Sequence, residues 1–447
     1  MDLPRWPAPT APGPVDAVVT LPGSKSLTNR YLVVAALADR PSRLRSPLRS
    51  RDTALMVGAL ESLGVRVEDV DGAGPEPDWL LTPAQELHGG RVDVGLAGTV
   101  MRFVPPLAAL ARGDVALDGD PRARERPLAP VVDALRALGV DVDDGGRGAL
   151  PLLVHGTGSV GGGSVSIDAA ASSQFVSGLL LAAPRYDRGL VVRHVGPPLP
   201  SEPHVLMTVE TLRDAGVLVD DSEPDTWRVS PGPVSALDVH VEPDLSNAAP
   251  FLAAAAVTGG RVRVAGWPQH TTQAGDLLRD LLDEMGAEVS LDREGLEVRG
   301  GDLYGVDADL REAGELVPVV TALAALAATP TRLRGVAHLR GHETDRLAAL
   351  ATELGRLGGS VEETQDGLVV RPAPLHGGLF RTYADHRMAQ AGAVLGLRVP
   401  GVEVEDVATT GKTLPGFVGL WDAMLAGGAV GDRAPERSPS VRPAPAR

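Results

Sequence analysis

Six times along the chain, at intervals of about 70 residues, a few small or polar residues open a helix built almost wholly of Ala, Leu and Val, which then stops at Gly or Pro. The copies are SKSLTNRYLVVAALADR from Ser24, GTVMRFVPPLAALARG from Gly98, SSQFVSGLLLAAP from Ser172, SNAAPFLAAAAVTGG from Ser246, GELVPVVTALAALAATP from Gly314 and DHRMAQAGAVLGL from Asp385. A helix that is apolar on nearly every side has to be enclosed by protein, and alanine lets such helices approach one another closely. At 447 residues the chain is too long for one typical core, so three copies to a domain is the simplest division.

Five units continue with a second, more amphipathic helix that ends on glycine and turns into a strand: ALESLGVRVE, ALRALGVDVD, TLRDAGVLVD, LLDEMGAEVS and ELGRLGGSVE. Glycine there suits the left-handed C-terminal cap, and the alternation after it suits a half-buried strand. The spacing predicts an α/β protein with mixed sheets in two domains of three repeated helix-strand units. The first domain is expected over 21–240 and the second over 15–20 plus 241–427, with the crossing near PGPVSALDVHVEPD. The Pro- and Arg-rich ends, 1–14 and 428–447, read as flexible tails.

Composition narrows the function. There is no cysteine, which excludes a disulfide framework, a thiolate metal site and a cysteine nucleophile, and fits a cytoplasmic setting. A net charge of -16 argues against a sequence-independent grip on nucleic acid. No signal core and no membrane-length apolar run is visible, so no membrane association is expected. Any anion site must therefore be a local concentration of Lys and Arg.

Such concentrations stand at the helix starts. Lys25 and Arg30 flank Ser26, Arg102 follows Gly98 and Thr99, and Ser172, Ser173 and Gln174 open the third copy. A helix N-terminus is already dipole-positive, so cations placed there are unfavourable until an anion binds. Serines at such positions are often plain N-caps, and Ser246 and Asn247 are read that way. PRARERP adds Arg122, Arg124 and Arg126, of which Arg124 reads as a solvated charge. HLRGHETDRL brings His338, His342, Glu343, Asp345 and Arg346, with Thr344 or Asp345 as cap; YADHRMAQ and TGKTLPGF bring Asp385, His386, Arg387 and Lys412. His338 and His342 are spaced i, i+4, but neither a thiol nor a zincin pattern accompanies them, so no metal is expected. TGKT lacks the upstream glycine of a phosphate loop, position 406 being Asp.

In this order and spacing, PGSKSLTNR, AGTVMR, PRARERP, SSQF, HETDR, DHR and GKTLPG resemble the 5-enolpyruvylshikimate-3-phosphate synthase family, from about Val15 to about Leu425. The resemblance implies an inside-out α/β barrel in each domain, with buried helices and outward-facing sheets, closing over a shared cleft. It implies transfer of the enolpyruvyl group of phosphoenolpyruvate to the 5-hydroxyl of shikimate 3-phosphate, with release of phosphate. It implies no cofactor, a monomer, and the target of glyphosate.

By the same resemblance, shikimate 3-phosphate is held by Lys25, Ser26, Arg30, Ser172, Ser173, Gln174, Ser201, Glu315 and His342. Phosphoenolpyruvate is held by Lys25, Gly98, Thr99, Arg102, Arg126, Gln174, Arg346, Arg387 and Lys412. Glu315 is the base for the 5-hydroxyl, and Glu343 with Lys25 handles the proton at the methylene carbon. The chain departs from the best-known bacterial pattern at Leu96 for Asn, Phe103 for Pro, His204 for Tyr, His338 for Asn, His342 for Lys and Ala384 for Asn, and Glu315 stands where Asp is frequent. Leu96 and Phe103 flank the pocket that glyphosate shares with phosphoenolpyruvate. His342 is expected to cost phosphoenolpyruvate affinity above neutrality, where lysine keeps its charge. Three alternatives are a UDP-N-acetylglucosamine enolpyruvyl transferase, which usually depends on a cysteine, a non-catalytic anion-binding relative, which has no need of Glu315 and Glu343, and an RNA-end-processing protein with related repeats, disfavoured by 3% aromatic residues.

Overall fold

The computed structural model describes residues 3–72 and 76–430. The apolar stretches are its innermost helices: Lys25–Ala36, Gly98–Ala108, Gln174–Ala182, Leu245–Thr258, Val317–Leu326 and His386–Gly396. Leu32, Val33, Val34 and Ala35 of the first are fully buried, as are Phe251 to Ala255 of the fourth. Close packing demands small residues at the crossings. A Cβ on Gly178, inside Gln174–Ala182, would lie 2.2 Å from the carbonyl oxygen of Arg102, so glycine here is what lets two buried helices touch.

Six sheets surround these helices among the described residues, one for each repeat. Four follow one scheme, in which a parallel pair is extended by two antiparallel strands. In one of them Gly163–Ile167 runs parallel to Leu190–His194, which pairs antiparallel with Thr226–Val229, itself antiparallel to Val219–Asp220. Each sheet has an inner and an outer face. In Arg261–Ala265, Val262 and Val264 turn inward while Arg261 and Arg263 reach Asp16, Asp292 and Glu297. Helices inside and sheets outside make each half an inside-out α/β barrel.

Two separate apolar cores result, one from Leu27 to Val241 and one from Ala8–Leu21 together with Leu245–Met424. The chain passes between them twice, and the two passages are joined. Ser24 N–H donates to Glu242 O at 2.7 Å and Asp244 N–H to Pro22 O at 3.0 Å. A Cβ on Gly23 would meet Ser46 O at 2.5 Å, so glycine is required where the passages approach. Strand Asp16–Val19 joins Arg261–Ala265 in the second half, and Asp238–His240 joins Ser42–Arg45 in the first.

The ends differ from the tails expected. Arg5–Pro7 is a strand paired with Val402–Glu405, and Trp6 meets Phe417 edge-on at 6.4 Å. Ala8 is buried and Trp6 packs half-buried against the second core, which holds the segment down, so residues 3–14 are part of the second half. At the other end Gly428–Val430 pairs with Asp16–Val19, which extends that half past 427; residues 431–447 lie outside the described residues. No helix among the described residues is long and apolar enough to cross a membrane.

Candidate active site

Helix starts from both halves converge on one cleft. Lys25, Ser26, Gly98, Thr99, Arg102, Arg126, Ser172, Ser173, Gln174 and Ser201 line it from the first half; Glu315, His342, Glu343, Arg346 and Arg387 line it from the second. Lys412 joins them through Glu343, its ammonium 2.6 Å from Oε1. Arg30 does not line the cleft. It lies beneath it, with Phe103 against its guanidinium, donating to Thr208 Oγ1, Ser177 Oγ, Ser26 O and His204 O. Burial alone lowers its pKa to about 9. Arg124 pairs with Asp118 on the surface, as a solvated charge should.

The cleft's cations fall into two groups. Lys25, Arg346 and Lys412 have carboxylate partners: Asp52 at 3.5 Å, Asp385 at 2.8 Å and Glu343 at 2.6 Å. Burial lowers the Lys25 pKa, with Lys412 and Arg387 adding to the fall and Asp52 opposing it. For Arg346 burial opposes the charge, but Asp385 and Glu343 outweigh it and the pKa is raised. Burial likewise opposes the Glu343 charge, yet Lys412, Arg346 and Arg126 hold its carboxyl well below the usual range.

Arg102, Arg126 and Arg387 form the second group, bonded to neutral acceptors with no ion pair among the described residues. Arg102 donates to Gly98 O and Gln174 Oε1, Arg126 to Leu96 O, and Arg387 to Ser246 O. The Nε atoms of Arg102 and Arg126 have no hydrogen-bond partner among the described residues. Burial, then repulsion from Arg126, pushes the Arg102 pKa far down. Uncancelled guanidinium charge in a buried cleft is strongly unfavourable unless an anion arrives.

Titratable side chains from both halves meet across the cleft. Glu315 lies in the 3-10 segment Arg311–Leu316, and its Oε1 is 3.6 Å from His204 Nε2 of the first half. Nearby, Ser201 N–H donates to Arg311 O at 3.0 Å. His338 and His342 stack tilted at 5.7 Å. Burial, aided by Arg346, pushes His338 down to about 4, and burial with Arg346 holds His342 well below its ordinary 6.5 although a third of its side chain is open to the cleft.

The expected pH role of His342 is therefore corrected. With Arg346 Nη1 donating to its Nδ1 at 3.3 Å it is already neutral at pH 7 and has no charge left to lose above neutrality. The linkage runs the other way. A depressed folded pKa contributes stability present above the unfolded value and lost as pH falls. Thermal stability should thus drop between pH 6.5 and about 4, where His338 gains its proton, and drop less in His338→Asn; equal acid sensitivity of the two proteins would contradict this.

Local structure explains the motifs. Ser24 Oγ caps the first buried helix by accepting from Leu27 N–H. Asp345 caps Arg346–Arg356 through Ala348 N–H. Asp385 accepts from Arg387 N–H while holding Arg346, so DHR is one cap serving two arginines. Ser246 and Asn247 are not the caps that the sequence suggests: Asp244 caps Leu245–Thr258 and also accepts from Lys25 N–H, freeing Ser246 Oγ to approach Glu315 at 3.5 Å. Tyr383 and Ala384 precede the DHR cap with φ of 54° and 56°, a left-handed pair. Ala384→Gly should raise stability by about 1 kcal/mol; a lowered melting temperature would count against strain there.

Sequence reasoning missed Asp52 and Gln390, and gave His386 no role. Asp52 reads as an ordinary acidic residue in a helix's first turn, and only the fold brings it to Lys25. His386 lines the cleft at 3% exposure, its Nδ1 without a hydrogen bond among the described residues and 3.6 Å from Asp385 Oδ1.

A family model described as EPSP synthase (3-phosphoshikimate 1-carboxyvinyltransferase) matches residues 9–421. The chain belongs to the EPSP synthase family. Its curated relatives include a 3-phosphoshikimate 1-carboxyvinyltransferase of Kocuria rhizophila, 61% identical over 429 residues, which are 94% of this chain and 96% of that one. Among solved structures, an EPSP synthase from Acinetobacter baumannii superposes with a TM-score of 0.77 at 23% identity, covering 94% of this chain and 98% of the other. The enolpyruvyl transferase NikO from Streptomyces tendae gives 0.72 at 20% identity, covering 92% and 95%. At those identities the superpositions show the two-domain inside-out α/β fold. This EPSP synthase family member thus presents, in the family's fold, one cleft with cations from both halves.

Proposed function

We propose that this chain transfers the enolpyruvyl group of phosphoenolpyruvate to the 5-hydroxyl of shikimate 3-phosphate and releases phosphate. The observation that carries the reading is the set of buried guanidinium groups, Arg102, Arg126 and Arg387, kept free of carboxylates in a cleft that also holds Glu315 and Glu343. A site that only bound anions would be weakened by those two acids. In a transferase both have work.

Addition joins the 5-hydroxyl oxygen to C2 of phosphoenolpyruvate. Glu315 takes the hydroxyl proton, and Lys25 gives a proton to the methylene carbon. Elimination breaks the bond from C2 to the phosphate oxygen, and a proton leaves the new methyl group. The protonation states favour this division: burial lowers the Lys25 pKa and makes it a readier donor, while Glu343 is held ionised and suits the proton's return. Arg102, Arg126, Arg346, Arg387 and Lys412 hold phosphoenolpyruvate. Lys25, Ser26, Ser172, Ser173, Gln174, Ser201 and His342 hold shikimate 3-phosphate, with Arg30 supporting Ser26 from below through the Ser26 carbonyl. One chain completes the cleft, so a monomer is the working unit of this reading.

The route predicts an isotope signature. A transient methyl group loses one of three hydrogens, so in D2O the product's vinyl protons should be partly replaced by deuterium. Product formed with no deuterium at that carbon would rule out addition followed by elimination.

A further inference from the structure

Arg387 leaves the Asp385 cap as the second residue of His386–Gly396 and lies 6% exposed. Each acceptor its guanidinium uses is uncharged. Its Nη1 donates to Ser246 O at 2.8 Å, Gln390 Oε1 at 3.1 Å and Asn247 Oδ1 at 3.3 Å. Asn247 and Gln390 come from different buried helices, are both fully buried, and lock one another. Gln390 Nε2 donates to Asn247 Oδ1 at 2.9 Å, while Asn247 Nδ2 donates to Thr413 O at 3.1 Å and Thr413 Oγ1 donates to Asn247 Oδ1 at 3.2 Å. The network therefore ties Arg387 to the turn that carries Lys412.

Amides are a costly choice for such a place. An apolar pair would pack between the helices without polar groups to satisfy, and a carboxylate at either position would make a stronger, charge-assisted bond to Arg387. In the same cleft Arg346 takes that second option, bound by Asp385 and Glu343. What the amides provide is a fixed guanidinium with no carboxylate in ion-pair contact, Asp244 and Glu315 acting on it only from farther off.

We propose that Asn247 and Gln390 are positioning residues that hold Arg387 in place while reserving its charge for an anionic substrate. The proposal rests on the reading above, in which that substrate is phosphoenolpyruvate.

Gln390→Glu tests it, because the change keeps the side-chain shape and sets a carboxylate beside Arg387. The KM for phosphoenolpyruvate should rise at least about tenfold, since a unit charge at this range is worth more than one factor of ten in a shielded site. The KM for shikimate 3-phosphate should stay within about twofold. Gln390→Met leaves the charge uncancelled and should raise the phosphoenolpyruvate KM less than Gln390→Glu does. A merely structural role predicts that Gln390→Met costs at least as much as Gln390→Glu, because both lose the Nε2–H donated to Asn247 Oδ1 while Met also deprives Arg387 of an acceptor. If Gln390→Glu does not fold, Asn247→Asp places the same charge from the facing helix and carries the same expectation. A parent protein without phosphoenolpyruvate-dependent turnover overturns the reading of the site and this role with it. An active parent whose carboxylate variants keep an unchanged phosphoenolpyruvate KM overturns the role alone.

Discussion

Glu315→Gln lowers turnover by roughly 10²–10⁴, the range a positioned general base contributes, while the KM values for both substrates change little. The substitution preserves size and the Ser246 and His204 contacts but removes the group that accepts the hydroxyl proton. It also removes a negative charge from a cleft that binds anions, so binding of shikimate 3-phosphate should hold or tighten. Steady-state kinetics separate the two effects. A variant with the parent's turnover would remove Glu315 from the chemistry and leave His204, on the opposite wall, as the nearest candidate.

Lys25→Met is the second large effect, with kcat/KM down by about 10³ for either substrate, comparable to losing a donor that meets developing charge. Lys25 is placed by three features at once. Ser24 caps its helix, Asp244 of the other half accepts its N–H, and Asp52 faces its ammonium. Lys25→Arg separates charge from proton donation, because a guanidinium keeps the charge but does not give up its proton near neutrality. Binding should recover in Lys25→Arg and turnover should not. Recovery of both would make Lys25 a holder of substrate only, and would pass the proton to Lys412.

The fold was legible because its signals are local and repeated. Helices apolar all round, glycine stops and the alternation after them reveal burial without knowledge of partners, and counting units puts a break between the third and fourth copies, near 231–244. The segment around Trp6 was not legible, since its strand partner Val402–Glu405 comes from the far end of the chain. In the cleft, the residues that carry charge in dense motifs, such as Lys25, Arg346 and Arg387, announce themselves. Their supports do not: Asp52 looks like a first-turn acid, Asn247 like a cap, and Gln390 like a polar residue on an Ala-rich helix. His342 shows the same limit for protonation. A histidine in place of lysine suggests a titrating charge, but the enclosing walls and the Arg346 guanidinium that keep it neutral exist only in the folded protein.

The central claim is that anions captured by the uncancelled arginines are joined by the cleft's acids, and phosphate release measures it most directly. Purified protein is given phosphoenolpyruvate alone, shikimate 3-phosphate alone, and both. The account predicts release only with both, in step with formation of the enolpyruvyl product, and none from Lys25→Met. Release from phosphoenolpyruvate alone, or tight binding of both substrates with no release, would contradict it.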